Sequence, residues 1–374
     1  MDRSTAYEQW MERQGIPILG GYGVEDLAAV ELAPWQRTGG NAAFIQVVGL
    51  EGFTGVVLGE IPPGEALHPV KHLHDQIIYI VRGSGATEVW WDPDDGRKTS
   101  FEWSEGGIFA VPLNATYRLY NGSREPVRYL AVSSAPPLMD LLHDPEFIFN
   151  CDRVFRDRFD AQADYFVPST RRAEKMGGFW VQESNFIADV KSAGLDEAEN
   201  KGASLQLTVL QMACSSLVGH IAEWPVGLYN KAHHHQGGAV LLILRSSGYT
   251  IMWPQEAGVR PYQSGNADSV VRIDWQEGSV FSPPTGWFHQ HINTGNVPAR
   301  QLAFRYNTQS GHYRLGIGKA LNKAGVVTSV REGGTLIEYE DEDPQIRTDF
   351  KRELEKTGVK YAMPPVVYAE GIRG

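Results

Sequence analysis

Cysteine is nearly absent. Cys151 and Cys214 are the only two among 374 residues. They form no CxxC pair, which removes the usual thiol-metal and dithiol-redox motifs. Two thiols in mixed apolar segments read as free buried side chains in a reducing compartment rather than as a disulfide. Long hydrophobic runs are missing as well, and none approaches the roughly 18–20 residues of a membrane span. The opening stretch, MDRSTAYEQWMERQG, has no apolar core of the kind that a signal peptide needs. The expectation is a cytoplasmic protein with no membrane partner. Positive charge is also scarce: 34 Lys and Arg against 45 Asp and Glu leave a net charge of −11. Without a basic stripe to release counterions, nucleic acid is not an expected partner.

What is abundant points to β structure. The chain holds 40 Gly, 21 Pro, ten Trp and fifteen Tyr, a composition that favours short strands and tight turns over long helices. Its length suits two domains better than one core. Short runs rich in Val, Ile, Phe, Tyr and Trp recur between Gly and Pro. They include IIYIVRG (77–83), ATEVWW (86–91), GIFAVP (107–112), VRYLAVSS (127–134), GYTIMWP (248–254), GSVFSPP (278–284) and RQLAFRYN (300–307). Each reads as a strand.

Self-comparison reveals a repeat. Residues 61–91 align with 224–254 at an offset of 163, pairing Gly64 with Gly227, His72 with His235, Arg82 with Arg245, Gly85 with Gly248 and Trp90 with Trp253. Residues 101–123 align with 273–295 at an offset of 172, pairing Trp103 with Trp275, Gly106 with Gly278, Pro112 with Pro284 and Asn121 with Asn293. The nine extra residues of the second copy fall in a long hairpin loop over 255–269. Residues 136–202 mix apolar and charged side chains without alternation and predict helical turns and irregular packing. Residues 341–358, with an Asp/Pro start, near-3.6 spacing and a Gly stop, predict one helix. The expected division is a first barrel over 38–135, a linker over 136–202, a second barrel over 203–310 and an extension over 311–374. The acidic stretch 338–344 reads as a solvated turn.

Three histidines in a row, His233, His234 and His235, precede a strand in the second copy. Alternation along an extended chain puts His233 and His235 on one side and His234 on the other. A third imidazole from a neighbouring strand, His289, would complete a facial metal set with open positions for water, substrate or dioxygen. His291 shares the face of His289 and is a candidate for contacting substrate. His234 and His220 read as ordinary polar residues. Gln301 and Arg305 alternate on one face of the strand at 300–307, where either could bind a substrate carboxylate. Trp253, Trp287 and Phe288 read as core, and Gln290 as exterior.

The spacing Gly227-x5-His233-x-His235, followed by Gly278-x5-Pro284-x-Gly286-x2-His289-x3-Asn293, resembles the two motifs of the cupin superfamily. The resemblance implies an all-β fold of tandem double-stranded β-helix barrels, a bicupin. Where that motif carries a Glu ligand this chain has Ala239. A three-His iron site of this kind resembles the ring-cleaving dioxygenases of the gentisate, salicylate and hydroxynaphthoate group. It implies Fe(II) held by His233, His235 and His289, with dioxygen and a small anionic or aromatic substrate, a hydroxylated aromatic acid or a related dioxygenated compound, as partners. The first copy keeps only His72 of the set, with Val70, Gln76 and Tyr117 at the other positions and His68 and His74 out of register, so it is expected to be metal-free. The alternatives are a lyase, isomerase or decarboxylase using Mn, Ni or Zn on the same ligands, and a non-catalytic small-molecule binder. A homo-oligomer is expected.

Overall fold

The computed structural model describes residues 4–91, 96–176, 179–198, 201–235, 238–306 and 328–370. After helix α1 (Ala6–Arg13), the first half runs β1 (Ile18–Leu19), β2 (Gly23–Val24), β3 (Ala33–Trp35), β4 (Gly40–Ile45), β5 (Gly55–Ile61), β6 (Gln76–Arg82), β7 (Ser84–Trp90), β8 (Lys98–Ser104), β9 (Ile108–Val111), β10 (Thr116–Tyr120) and β11 (Val127–Ser133). Helices α2 (Ala135–Leu142) and α3 (Pro145–Asn150) follow. The second half runs β12 (Arg172–Met176), β13 (Phe179–Glu183), β14 (Phe186–Ile187), β15 (Gln206–Gln211), β16 (Leu217–Trp224), β17 (Ala239–Arg245), β18 (Gly248–Trp253), β19 (Val271–Trp275), β20 (Val280–Phe281), β21 (Phe288–Asn293) and β22 (Ala299–Tyr306), before helix α4 (Pro344–Thr357).

Each half is a β barrel made of a large sheet closed by a small one. The large sheets are β1-β4-β5-β11-β6-β9-β14 and β12-β13-β15-β16-β22-β17-β20-β2, and the small ones are β10-β7-β8 and β19-β18-β21. The strand order of one half repeats in the other, as the sequence repeat requires. The two halves also trade edges. β1 pairs parallel with β4 of its own sheet, and β2 then crosses to pair with β20 of the second half. In the same way β13 pairs parallel with β15, and β14 crosses to pair with β9 of the first.

Strand pleating explains why the barrels pack as they do. On β17, Val240, Leu242 and Leu244 face a core shared with Leu58, Ile77 and Leu130 of the first half, while Ala239, Leu241 and Ile243 face the barrel interior. On β22, Leu302 and Phe304 join the shared core and Ala303 turns inward. One buried apolar layer therefore belongs to both halves, and its removal from water stabilises them together. The contact is close at Gly238, whose missing Cβ leaves room for the carbonyl of Gly49.

Several expectations need correction. Residues 136–202 hold α2 and α3, but also β12, β13 and β14, whose backbone pairing makes up for a weak alternation pattern. Both cysteines are free, yet neither is buried: Cys151 is half-buried and Cys214 exposed, so apolar neighbours in sequence did not carry the thiols inside. The acidic stretch is solvated only in part: Glu340 is exposed and Glu338 half-buried. Asp341, Glu342 and Asp343 are buried, because Arg331 pairs with Asp341, Arg347 with Glu342 at 2.7 Å, and Asp343 caps α4 through the Gln345 N–H. The helix expected at 341–358 is α4. The loop over 255–269 is a loop, with two short 3-10 turns. The boundary expected at 310/311 lies outside the described residues. Among the described residues no helix is long and apolar enough to cross a membrane.

Candidate metal centre

His233, His235 and His289 come together, their ligand atoms within 4.8 Å of one another. His233 sits in an isolated bridge with His289 rather than in a regular strand. The alternation still holds there: His234 leaves the group and packs edge-on against Phe288 at 4.9 Å. The C-terminal segment pins this loop from outside. Leu336 bridges to His233, and the N–H groups of His234 and Ile337 donate to the carbonyls of Thr335 and Ala232.

Ring hydrogen bonds orient two of the three imidazoles. His233 donates Nδ1–H to the Lys231 carbonyl and His289 donates Nδ1–H to the Trp287 carbonyl, each at 3.1 Å. Both rings thereby keep an unprotonated Nε2, the form that holds a metal. His291 is tied differently: Thr250 Oγ1 accepts from Trp275 Nε1 at 3.1 Å and shares a hydrogen bond of 2.8 Å with His291 Nδ1.

Burial keeps all these rings neutral. It pushes His289 down to about 3 and holds His233, His235, His291 and His220 well below the usual histidine range, with neighbouring cations adding to the effect. Neutral imidazoles need shed no proton to take an ion. The residues present fit a divalent metal: three nitrogen donors converge with no carboxylate, since Ala239 occupies the place a Glu would need.

The cavity above the histidines encloses about 70 Å³, against roughly 10–15 Å³ for one water. Gln301, Arg305 and His291 all line it, as the sequence suggested, and Gln301 Oε1 has no hydrogen-bond partner. His220 lines it too, contrary to the bland reading. On β16 it alternates with Val218, Ala222 and Trp224, which face inward, so the pattern LVGHIAEW already carried that signal. Lys201 was missed altogether, because it precedes the barrel strands. Among the described residues no Asp or Glu lines the cavity. Among the described residues neither Lys201 nor Arg305 has a carboxylate partner; Lys201 meets only the Phe179 ring, at 5.7 Å. Burial, and then Arg305, push Lys201 down to about 8, and burial pushes Arg305 down to about 10.

Trp253 and Phe288 are core, in the cluster that α4 covers. Gln290 points out of the barrel as expected but is fully buried, donating to the Asn230 carbonyl at 2.9 Å and to Glu342 at 3.4 Å. Asn293 ties the turn that ends its strand, donating to the Val297 carbonyl at 3.0 Å, as Asn121 does to the Glu125 carbonyl in the first half at 2.8 Å.

The molecule is thus two repeated barrels, each closing a small sheet over a large one around a cavity. This is a bicupin fold. No family model matches the chain, and no curated protein does. Solved structures align along most of its length at low identity. Oxalate decarboxylase from Lactobacillus farciminis, in a formate complex, aligns with a TM-score of 0.49 and 12% identity over 77% of this chain and 87% of that one. A mutant of Bacillus subtilis oxalate decarboxylase gives 0.49 and 11% over 78% of each chain. Vicilin from hazelnut, Corylus avellana, gives 0.46 and 12% over 76% of this chain and 85% of that one.

The hydroxyl of Thr250 offers a test of this bicupin site. Thr250→Val strands the Trp275 indole N–H and His291 Nδ1 inside the barrel, and should cost about 2–4 kcal/mol of stability in chemical denaturation. Its counterpart Thr87 accepts only from Trp103 Nε1, at 2.8 Å, so Thr87→Val should cost roughly half as much.

Proposed function

We propose that the second barrel is the active site of an Fe(II)-dependent dioxygenase acting on a small hydroxylated carboxylic acid, aromatic or similarly oxygenated. The observation that carries this reading is the charge of the cavity. Three neutral imidazoles leave a divalent ion uncompensated, Arg305 and Lys201 add two cations, and among the described residues no acidic side chain answers them. A chelating anion is the natural complement.

The chain's own residues then divide the work. Arg305 offers a planar fork to a substrate carboxylate and Lys201 a second point charge. The unpaired Gln301 Oε1 can accept from a substrate hydroxyl, and His291 lines the same space. Phe179, Leu207 and Trp224 line the rest of the cavity and keep water out. Held by His233, His235 and His289, Fe(II) supplies a Lewis-acidic centre with open positions and the redox chemistry that dioxygen requires.

A second reading, a metal-dependent decarboxylase using Mn on the same ligands, is favoured by the small cavity and its two unpaired cations, which suit a compact dicarboxylate. Oxygen uptake separates the two. Fe(II)-dependent consumption of dioxygen with hydroxylated aromatic acids supports the dioxygenase. Anaerobic release of carbon dioxide supports the decarboxylase. Failure of the purified, reconstituted protein to hold any metal would sink both and leave a binding module. Arg305→Gln should keep the metal while raising KM about 10–100-fold, the value of a charged hydrogen bond. A variant with unchanged KM would remove Arg305 from substrate binding.

A further inference from the structure

The first barrel has a cavity of its own, at the place the metal cavity takes in the second. Under the repeat, Val70 stands for His233, His72 for His235, Gln76 for Ala239, Tyr117 for His289 and Ser133 for Arg305, and all five line it. It encloses about 60 Å³, room for roughly four to six non-hydrogen atoms at 10–15 Å³ each. His72 and His74 stack in it at 3.7 Å, and among the described residues no third metal-ligating group joins them.

One cation reaches this space. The Arg37 guanidinium lies over the Phe149 ring at 3.6 Å and, among the described residues, has neither a carboxylate nor a hydrogen-bond partner. Among the described residues no Asp or Glu lines the cavity. Tyr117 accepts from Gln76 Nε2 at 2.7 Å and so keeps its own hydroxyl proton to give. The remaining walls are mostly apolar, with Trp10, Val57 and Ala131 among them. A half-buried cation beside a free hydroxyl donor, in an otherwise apolar chamber, lacks one thing: a small anion.

We propose that the first barrel is a metal-free binding site for a short aliphatic monocarboxylate of about two to four carbons. Its carboxylate pairs with Arg37 and the Tyr117 hydroxyl, and its tail lies against Trp10 and Val57. A single cation matches a single negative charge.

Isothermal titration calorimetry of the full-length protein with acetate, propionate and butyrate tests this. The wild type should show saturable binding that Arg305→Met leaves in place and that Arg37→Met weakens about 10–100-fold, as loss of a charged hydrogen bond does. Near-UV circular dichroism checks that Arg37→Met is folded. Should that variant fail to fold, Tyr117→Phe, which keeps the ring and removes the donor, should weaken binding severalfold. Unchanged binding in the folded Arg37→Met variant, or in Tyr117→Phe, overturns the proposal. So does loss of all binding in Arg305→Met, which would place the anion in the second barrel. Absence of saturable binding by all three acids overturns it as well.

Discussion

His235→Ala should empty the metal centre. Metal content by elemental analysis should fall from about one ion per chain to near zero, and turnover should fall by more than the roughly 10–100-fold that loss of an outer partner of a ligand costs. The reason is the size of the set. Three imidazoles are the whole ligand group, and Ala239 offers no fourth donor to hold the ion in their absence. Thermal unfolding gives a readout independent of activity. An ion that binds only the folded chain at a hundred times its Kd stabilises it by about 2.7 kcal/mol, and His235→Ala should lose that gain. The control is next door. His234 packs on Phe288 and faces away from the cluster, so His234→Ala should keep its metal. Equal loss in both variants would mean that the loop, and not the imidazole, was being read.

The second large effect is acid instability. Burial pushes the His72 ring down to about 4 and His289 to about 3, and holds His74, His220, His233, His235 and His291 well below the usual range. In the unfolded chain each titrates near 6.5. Above that pH both states are neutral and the rings add no pH dependence. As pH falls from about 6.5 toward the folded values, only the unfolded chain takes up protons, so stability is lost. Each such ring contributes about 1.4 kcal/mol per pH unit. His72 alone accounts for about 2 kcal/mol between pH 6.5 and 4.5. The other six rings shift in the same direction, against the roughly 5–15 kcal/mol by which a domain is stable. The melting temperature of the metal-free protein should therefore drop steeply between pH 6.5 and 5. His72→Gln should flatten the slope by up to one proton, and added metal should protect the second barrel, whose ligands then cannot be protonated. A melting temperature that stays level over that range would contradict the buried neutral rings.

Much of the fold was legible because pattern and pleat agree. Runs such as 77–83 and 300–307 fall on β6 and β22, and the same alternation that buries Leu302 and Phe304 turns Gln301 and Arg305 toward the cavity. His233, His235 and His289 could be picked out by spacing, since two of them follow from alternation and the third from the resemblance of residues 278–293 to the second cupin motif. His220 was equally legible on β16 and was passed over, because a single histidine in a strand carries no spacing to test. Lys201 was beyond reach: nothing local says that a residue ahead of β15 folds back over the barrel mouth. The carboxylates at 341–343 were misread for a related reason. Composition reports their charge, but Arg331 and Arg347, which permit their burial, are brought there only by the fold. The traded edges were invisible too, as strands of two residues leave no periodic trace.

That trade of edges has a consequence for how the molecule is born. Gly23 and Val24 emerge early from the ribosome, yet their partners are Phe281 and Val280. At about 5–20 residues per second they wait roughly ten to fifty seconds for the partner strand to be made. Meanwhile the nascent first barrel lacks its own final edge until β14 arrives from the linker. During synthesis the chain thus carries an open strand edge, the kind of surface that invites a wrong neighbour, and it closes only after Val280 and Phe281 have been made. Synthesis speed, more than final stability, would then govern the yield of folded protein.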